Sequence, residues 1–172
     1  MTANSTEQNQ NSAQNLFGHA ARTATVTRNT AETQVTCTVN LDGTGQGTVD
    51  TGVPFLDHMI DQIKRHGLFD LDIKCTGDTF IDDHHSVEDT GITLGQAFNK
   101  ALGDKKGIAR YGSMNLPMDE VLCNVTLDIS GRPYLVFNCD FNRENIGTMS
   151  CEMVEEFFRA FSVASGVTLH IN

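Results

Sequence analysis

The chain has 172 residues, of which 39% are hydrophobic and 20% charged, a balance typical of one ordinary globular domain or of two small ones that share a core. Its formal net charge of −10 has the wrong sign for a protein that follows a phosphate backbone, so no nucleic-acid partner is expected. No apolar run approaches the roughly 18 residues that a membrane-spanning helix needs, so no membrane association is expected.

The N-terminal segment and the cysteines indicate a cytoplasmic protein. Residues 1–20 are predicted to form a disordered polar tail, because they are rich in Asn, Gln, Ser and Thr and lack the apolar core of a secretory signal. The five cysteines are widely spaced and form no C-x-x-C pair, so we interpret them as reduced thiols.

The first predicted elements are strands. Residues 32–41 alternate apolar and polar side chains as a half-buried strand does, with Cys37 at an inward position. The glycine-rich segment at residues 43–47 superficially resembles a phosphate-binding loop. Since no strand-to-helix unit follows in the required register, we predict a flexible hairpin turn there.

Two helices are predicted next. The first starts at Pro54 and carries His58, Gln62 and His66 on its polar face, opposite an apolar stripe. A strand follows over residues 68–75, and then a helix that we expect Ser86 and Asp89 to cap. The apolar stripe of the first helix consists of Phe55, Leu56, Met59, Ile60 and Ile63.

The same pattern then occurs a second time. Residues 120–131 match 32–43, residues 153–161 match the helix at 54–63, and residues 169–171 match 71–73. We therefore predict an α+β fold of duplicated half-domains, residues 21–113 and 114–172, each a small mixed or antiparallel sheet with helices on one face. Each copy should run strand, strand, helix, strand, short strand, helix. The second copy stops early, as a truncated chain would.

The strongest signal for chemistry is the acidic, histidine-rich segment at residues 82–89. Neighbouring residues on a helix diverge by roughly 100°, so His84 and His85 should aim at two different ions. Glu88 lies on the same face as either, at the spacing by which H-x-x-x-E segments bind metals. The mixed donors suit Mn, Fe, Zn or Co. A solvated acidic helix N-terminus is the alternative.

Other candidates are more dispersed. His58 and Glu156 fall at corresponding points of the two repeats, so the duplication places a metal-capable side chain in each. Arg110 and Arg132 lie in glycine-rich turns and suit the phosphate or carboxylate of a small substrate. For each of these residues, and more so for His66, a solvated surface role is the alternative.

These motifs together resemble the imidazoleglycerol-phosphate dehydratase family of histidine biosynthesis. The resemblance extends from about residue 22 to residue 172 and is specific, because many motifs occur in one order. The matching stretches are 29–33, 41–45, 51–59 (TGVPFLDHM), 65–70 (RHGLFD), 77–78, 81–85 (IDDHH), 88–89, 104–107, 117–120, 128–135 (DISGRPYL) and 154–158 (VEEFF).

The resemblance implies a hydro-lyase that removes water from imidazole glycerol phosphate to give imidazole acetol phosphate. It implies two Mn²⁺ ions, a ribosomal protein S5 domain 2-like fold and an octahedral homo-oligomer whose sites are shared between subunits. The implied metal ligands are His58, His84, His85, Glu88 and Glu156.

The resemblance also assigns contacts to the substrate. Arg110 and Arg132 are expected to face the phosphate, and Glu32 and Glu88 to be the catalytic carboxylates near the reacting carbons. The full set implied to touch the substrate is Glu32, His58, Gln62, His66, Arg110 and Arg132. Family members continue into a second H-H-x-x-E motif and a basic tail, so the resemblance predicts a partial ligand set and negligible activity for this chain.

The sequence is also compatible with two other classes of protein. One is a metal-stabilised assembly protein, in which the HH-x-x-E segment links subunits through saturated coordination. The other is a two-repeat binding module without a metal. Arginines within reach of an open metal position would favour the enzyme over both, because a catalytic metal keeps a position for its substrate.

Overall fold

The computed structural model describes residues 21–172, and the tail predicted for residues 1–20 lies outside them. None of the described helices is long and apolar enough to cross a membrane. The elements are β1 (Thr23–Asn29), β2 (Thr33–Asn40), β3 (Val49–Asp50), α1 (Pro54–Gly67), β4 (Asp70–Gly77), α2 (His84–Leu102), β5 (Tyr111–Met118), β6 (Val121–Asp128), β7 (Tyr134–Phe137), β8 (Asn145–Ile146), β9 (Met149–Ser150), α3 (Glu152–Ser165) and β10 (Thr168–Ile171).

The two halves of the chain form two sheets of the same topology. The first has the strand order β1-β2-β4-β3 and the second β5-β6-β10-β7. In each sheet three strands are antiparallel and the fourth, β3 or β7, pairs in parallel with the last. This correspondence confirms the predicted α+β fold of duplicated half-domains. Strand β5 begins at Tyr111, before the boundary predicted after residue 113.

The predicted position of the short strand is wrong. It was expected after the third long strand of the repeat, whereas β3 precedes α1. The physical reason is its parallel pairing with β4, because two parallel strands need a connection that returns along the sheet. Helix α1 provides that connection.

The predicted hairpin turn at residues 43–47 is also wrong, because β4 lies between β2 and β3 in the sheet. The loop is fastened to its surroundings. Asp70 Oδ1 accepts hydrogen bonds from the backbone N–H of Thr44 at 2.8 Å and of Gln46 at 2.9 Å. Lys64 Nζ donates to the Gly47 carbonyl at 2.6 Å. The loop therefore has a structural role at this end of the sheet.

The N-terminus of α2 does not have the predicted cap. The helix begins at His84, and its N-cap residue Asp83 makes no capping hydrogen bond, whereas Asp82 Oδ1 accepts from the His84 N–H at 2.8 Å. Ser86 and Asp89 are buried and face the sheet. Gly77 leaves space for this packing, since a Cβ atom there would lie 2.2 Å from Ser86 Oγ. The predicted capping pair thus belongs to the interior of the fold.

Helices α2 and α3 join the two halves by close packing. A Cβ atom at Gly91 would lie 2.8 Å from the Phe157 carbonyl oxygen, and one at Gly95 would lie 2.7 Å from the Phe161 carbonyl oxygen. Glycine permits such an approach of two backbones. Because the contacts advance along both helices together, α2 and α3 run in the same direction.

The predicted apolar stripe of α1 is buried only in part. Leu56 and Ile60 belong to the core, whereas Met59 and Ile63 are partly exposed beside an open apolar cavity of about 290 Å³. All five cysteines are free. Burial raises the pKa of the Cys37 thiol to about 12, in keeping with the predicted inert core residue.

Candidate active site

The two neighbouring imidazoles stand exposed in the first turn of α2. The ring centroids of His84 and His85 are 6.0 Å apart and the ring planes are inclined by 81°. The rings therefore diverge, and they do not face a single ion together.

His84 forms a pair with Glu88 one turn along the helix. The distance from His84 Nε2 to Glu88 Oε2 is 3.7 Å, and both side chains are partly open to solvent. Donors that bind one ion at about 2.1 Å lie roughly 3–4 Å from each other. The pair therefore fits two neighbouring positions around one metal ion.

His85 has a different partner, which the sequence analysis did not identify. Its Nδ1 donates to the Asp78 carboxylate, at 3.0 Å to Oδ2 and 3.2 Å to Oδ1. This hydrogen bond is the main reason that the pKa of His85 is raised. Histidine ligands of metals commonly hold a carboxylate on the other ring nitrogen, which fixes the ring orientation. Asp78 leaves His85 Nε2 free. In the sequence Asp78 stands out only by its position after the predicted strand and by its place in the matching stretch 77–78.

Glu32 lies on the turn between β1 and β2, and the fold brings it to the same region. The pKa of His85 is raised mainly by the hydrogen bond and charge of Asp78, and the negative charge of Glu32 raises it further. Glu32 is exposed, so its carboxylate is accessible from the solvent side of α2. An acid and an imidazole that are far apart in the sequence therefore share one surface.

The remaining predicted ligands are not gathered at this surface. His58 lies exposed on α1 with its ring centroid 6.5 Å from that of Phe55, and Glu156 on α3 accepts from Arg159 Nε at 3.4 Å. Gln62 and His66 lie on the same helix as His58. Within residues 21–172 no group of three or more His, Cys, Asp or Glu side chains is close enough together to hold a metal ion.

The two predicted phosphate-binding arginines meet around a third residue, Asp128. Arg110 donates to it from Nε at 2.6 Å and from Nη2 at 3.0 Å. The pKa of Asp128 is lowered mainly by Arg110 and further by the charge of Arg132. Arg110 also lies over the Tyr111 ring, 4.9 Å from its centroid. Two cations and one carboxylate thus form an exposed cluster with excess positive charge, and the role of Asp128 in it was not predicted from the sequence.

The arginine cluster and the imidazoles lie at different levels along α2. The helix has 19 residues and is therefore about 28 Å long. His84 begins it, whereas Arg110 follows its C-terminus. Arg132 is placed by Gly131, which packs against Gly166 just beyond the end of α3. Because Ser165 lies beside Gly95 of α2, this turn places Arg132 about 16 Å along α2 from His84.

Comparison with known proteins gives one consistent result. A family model described as imidazoleglycerol-phosphate dehydratase matches residues 51–172. An imidazoleglycerol-phosphate dehydratase of a Psychrobacter species is 64% identical over 151 residues, which is 88% of this chain and 73% of that relative. The one of Chromobacterium violaceum is 63% identical over 151 residues, covering 88% of this chain and 77% of its own length.

Solved structures agree with the sequence relatives. The crystal structure of imidazoleglycerol-phosphate dehydratase from Staphylococcus aureus is 40% identical with a TM-score of 0.78, over 87% of this chain and 82% of that one. The enzyme from Pyrococcus furiosus, in complex with (S)-C348, is 28% identical with a TM-score of 0.73, over 86% of this chain and 78% of that one.

Proposed function

The chain belongs to the imidazoleglycerol-phosphate dehydratase family, hydro-lyases of histidine biosynthesis, and we propose that the surface at the start of α2 is where it removes water from imidazole glycerol phosphate. The product of that reaction is imidazole acetol phosphate. The main support for placing the reaction at this surface is the pair of diverging imidazoles, of which His84 lies beside Glu88 and His85 is oriented by Asp78.

The donors at this surface fit metal ions such as Mn²⁺. Imidazole nitrogen with carboxylate oxygen is a set that suits Mn²⁺. His84 with Glu88 would hold one ion and the free Nε2 of His85 a second, and His58 and Glu156 would supply further donors. A bound ion supplies Lewis-acid polarisation of the imidazole ring of the substrate.

The protein's own side chains would position the substrate and move the proton. Glu32 is exposed beside His85 and is our candidate for the base that removes the proton from the carbon next to the departing hydroxyl, with Glu88 as the other candidate. Gln62 and His66 would orient the substrate from α1. Asp78 holds the His85 ring so that its free nitrogen stays directed outward.

We assign the phosphate group to the arginine cluster. Arg110 and Arg132 present planar guanidinium groups, which bind phosphate oxygens in pairs. Asp128 keeps the Arg110 guanidinium in place through two hydrogen bonds. Binding at this remote end would align the reacting carbons with the catalytic carboxylate.

Both ends of the substrate cannot be held by one copy of the chain. The turn that carries Arg132 packs against Gly166, next to Ser165, which lies beside Gly95 of α2 and so about 16 Å along the helix from His84; this separation exceeds the size of a small phosphorylated imidazole. We therefore propose that the arginines of one copy face the imidazoles of another. Such sharing makes a homo-oligomer necessary, and an octahedral arrangement is the form that we propose.

The thiols support a reducing, cytoplasmic location. All five cysteines are free, and those on β2 and β4 are buried in the first core. Reduced, unpaired cysteines are typical of proteins kept in the cytosol.

The test of the proposed function is a metal analysis coupled with a dehydration assay on the same preparation. A version that also carries the second H-H-x-x-E motif of the family is stripped with a chelator, reloaded with Mn²⁺ and assayed with imidazole glycerol phosphate beside the chain of 172 residues, for which negligible turnover is predicted; the same version serves for the other turnover measurements. We expect turnover to follow the bound Mn²⁺ and to depend on protein concentration below the assembly threshold. Metal-independent turnover, or saturating Mn²⁺ without turnover by an assembled protein, would contradict the proposal.

A further inference from the structure

We propose that Asp89 is a positioning residue for the dehydration, because it fastens the turn that carries Glu32 to the helix that carries His85 and Glu88. The inference rests on the proposed function, since it gives Glu32 a defined place beside the metal ligands. Asp89 itself touches neither the substrate surface nor a ligand side chain in the described structure. It acts through Arg28 and Thr33.

Asp89 lies at the contact between α2 and the first sheet. It follows Glu88 directly, but its side chain is buried, 5% exposed, on the face that packs against β1 and β2. Its Oδ1 accepts from Arg28 Nε at 2.8 Å, and its Oδ2 accepts a short hydrogen bond from the Thr33 hydroxyl. A buried carboxylate is costly unless it is paired and hydrogen-bonded, so the geometry around it is tightly specified.

The turn that presents Glu32 is organised by the same hydroxyl. Thr33 Oγ1 lies 3.2 Å from Thr30 Oγ1, which accepts from the backbone N–H of Thr33 at 2.9 Å and of Glu32 at 3.2 Å. The Thr30 N–H in turn donates to the Thr33 carbonyl at 2.8 Å. A continuous chain of hydrogen bonds therefore runs from Asp89, through two threonines, to the backbone of Glu32.

These hydrogen bonds fix the position of Glu32, the proposed base, relative to α2, which carries the proposed metal ligands. Glu32 is exposed and makes no ion pair among those the structure records, so its own carboxylate does not hold it in place. The turn between β1 and β2 is held on its buried side, through Thr33, and the Glu32 carboxylate stays available for the substrate. Displacement of a reacting group by about 1 Å can cost two orders of magnitude in rate.

The experiment compares Thr33→Val with Thr33→Ser in the Mn²⁺-loaded protein. Valine keeps the volume but leaves Asp89 Oδ2 without its donor, whereas serine keeps the hydroxyl. For Thr33→Val we expect kcat to fall roughly tenfold or more while KM and Mn²⁺ affinity change less than about threefold. Thr33→Ser should return kcat to within about threefold of the original. A parallel variant, Asp89→Asn, removes the charge of the buried carboxylate itself. Its matched control is Asp50→Asn, which removes the charge of an exposed carboxylate paired with Lys74.

Hydrogen exchange at the backbone amides of residues 32 and 33 supplies a readout that does not need turnover. We expect these amides to exchange faster in Thr33→Val than in Thr33→Ser, with the amides of β4 unchanged. Unaltered exchange, or a kcat that falls only in proportion to lost Mn²⁺ affinity and lowered Tm, would overturn the proposal. If the original protein binds Mn²⁺ and does not dehydrate the substrate, the proposed function fails, and the exchange data still decide whether Asp89 holds the turn.

Discussion

The two half-domains share a strand order, but the inner face of the second sheet is covered only in part, over β10, where Leu169 and Ile171 are buried with Phe158 of α3 against them. In the first sheet Ala24, Cys37 and Val39 are 5%, 0% and 0% exposed beneath α2. On the corresponding face of the second sheet Met114 and Leu116 are 64% and 65% exposed. Those two residues pair with Val125 and Cys123 on β6, so they share the face that is apolar in both halves. A common pattern thus gives a buried core only where a helix lies over it.

The comparison also separates the chemistry. The first half carries the imidazoles and the carboxylates proposed to be catalytic, whereas the arginines proposed to bind phosphate, Arg110 and Arg132, flank the second sheet. Arg22 occupies in the first half the place that Arg110 has in the second, before the first strand, and each forms a two-pronged ion pair with an aspartate, Asp42 or Asp128. The two halves therefore share this ion pair, while the functions that we propose for their exposed ends differ.

The largest effect is expected from removing an imidazole of the first half. His84→Ala should lower Mn²⁺ retention and turnover by more than about a hundredfold, because the Glu88 pair loses its nitrogen donor. Tm should stay nearly constant, since His84 is exposed. Metal content after gel filtration, turnover and thermal melting measure the three quantities. His170→Ala, at an exposed histidine on β10, is the matched control, and normal turnover by His84→Ala would remove the metal assignment.

The next effect contrasts the two equivalent arginines. Arg110→Met should raise KM by roughly 10- to 100-fold, since charged hydrogen bonds to phosphate are lost, with little change in Tm. Arg22→Met should lower Tm and leave KM unchanged, because its ion pair with Asp42 serves the first half-domain alone. Steady-state kinetics and melting curves of both variants test the contrast. Equal KM values for the two variants would place the phosphate elsewhere.

A smaller effect tests the burial of the two sheets. Val39→Ala should lower the free energy of unfolding by about 2–3 kcal/mol, because Val39 is fully buried. Met114→Ala should change it by less than about 0.5 kcal/mol, since this side chain is 64% exposed. Urea unfolding at concentrations that keep the chain dissociated gives both values. A large loss for Met114→Ala would show that its face is covered in solution.

The smallest effect concerns thiol reactivity. At about pH 8 Cys37 should react with iodoacetamide at least roughly tenfold more slowly than Cys139, because burial raises the pKa of Cys37 to about 12 and blocks access to it. Cys139 is only half-buried at the edge of the second core. Peptide mapping by mass spectrometry after timed labelling measures the two rates. Equal rates would mean that the first core opens as readily as the second.

Much of the fold was predictable, because periodicity records burial. The alternation in β2 and β6 and the stripe of α1 predicted the repeat, and the equal strand orders confirm it. The N-cap prediction failed for a physical reason. Ser86 and Asp89 have the spacing of a capping pair, but Asp89 is bound by Arg28 and Thr33, which the sequence places more than fifty positions away.

The candidate site was predictable in its residue types and not in its arrangement. The divergence of His84 and His85 follows from helix geometry and is seen in the structure. The partners Asp78 and Asp128 were missed, because each is an ordinary aspartate at the end of a strand until the fold brings a cation or an imidazole to it. The assignment of the ligand and substrate contacts remains a prediction.

The sequence by itself determined the family, the duplicated strand pattern and the donor types at the start of α2, since these depend on residue identity and local spacing. Only the tertiary structure decided which part of each sheet is covered, where Asp89 is bound, and that the arginine cluster lies apart from the imidazoles along α2. Those features depend on contacts between segments far apart in the chain. Such contacts are set by the packing of whole elements, and no local pattern encodes them.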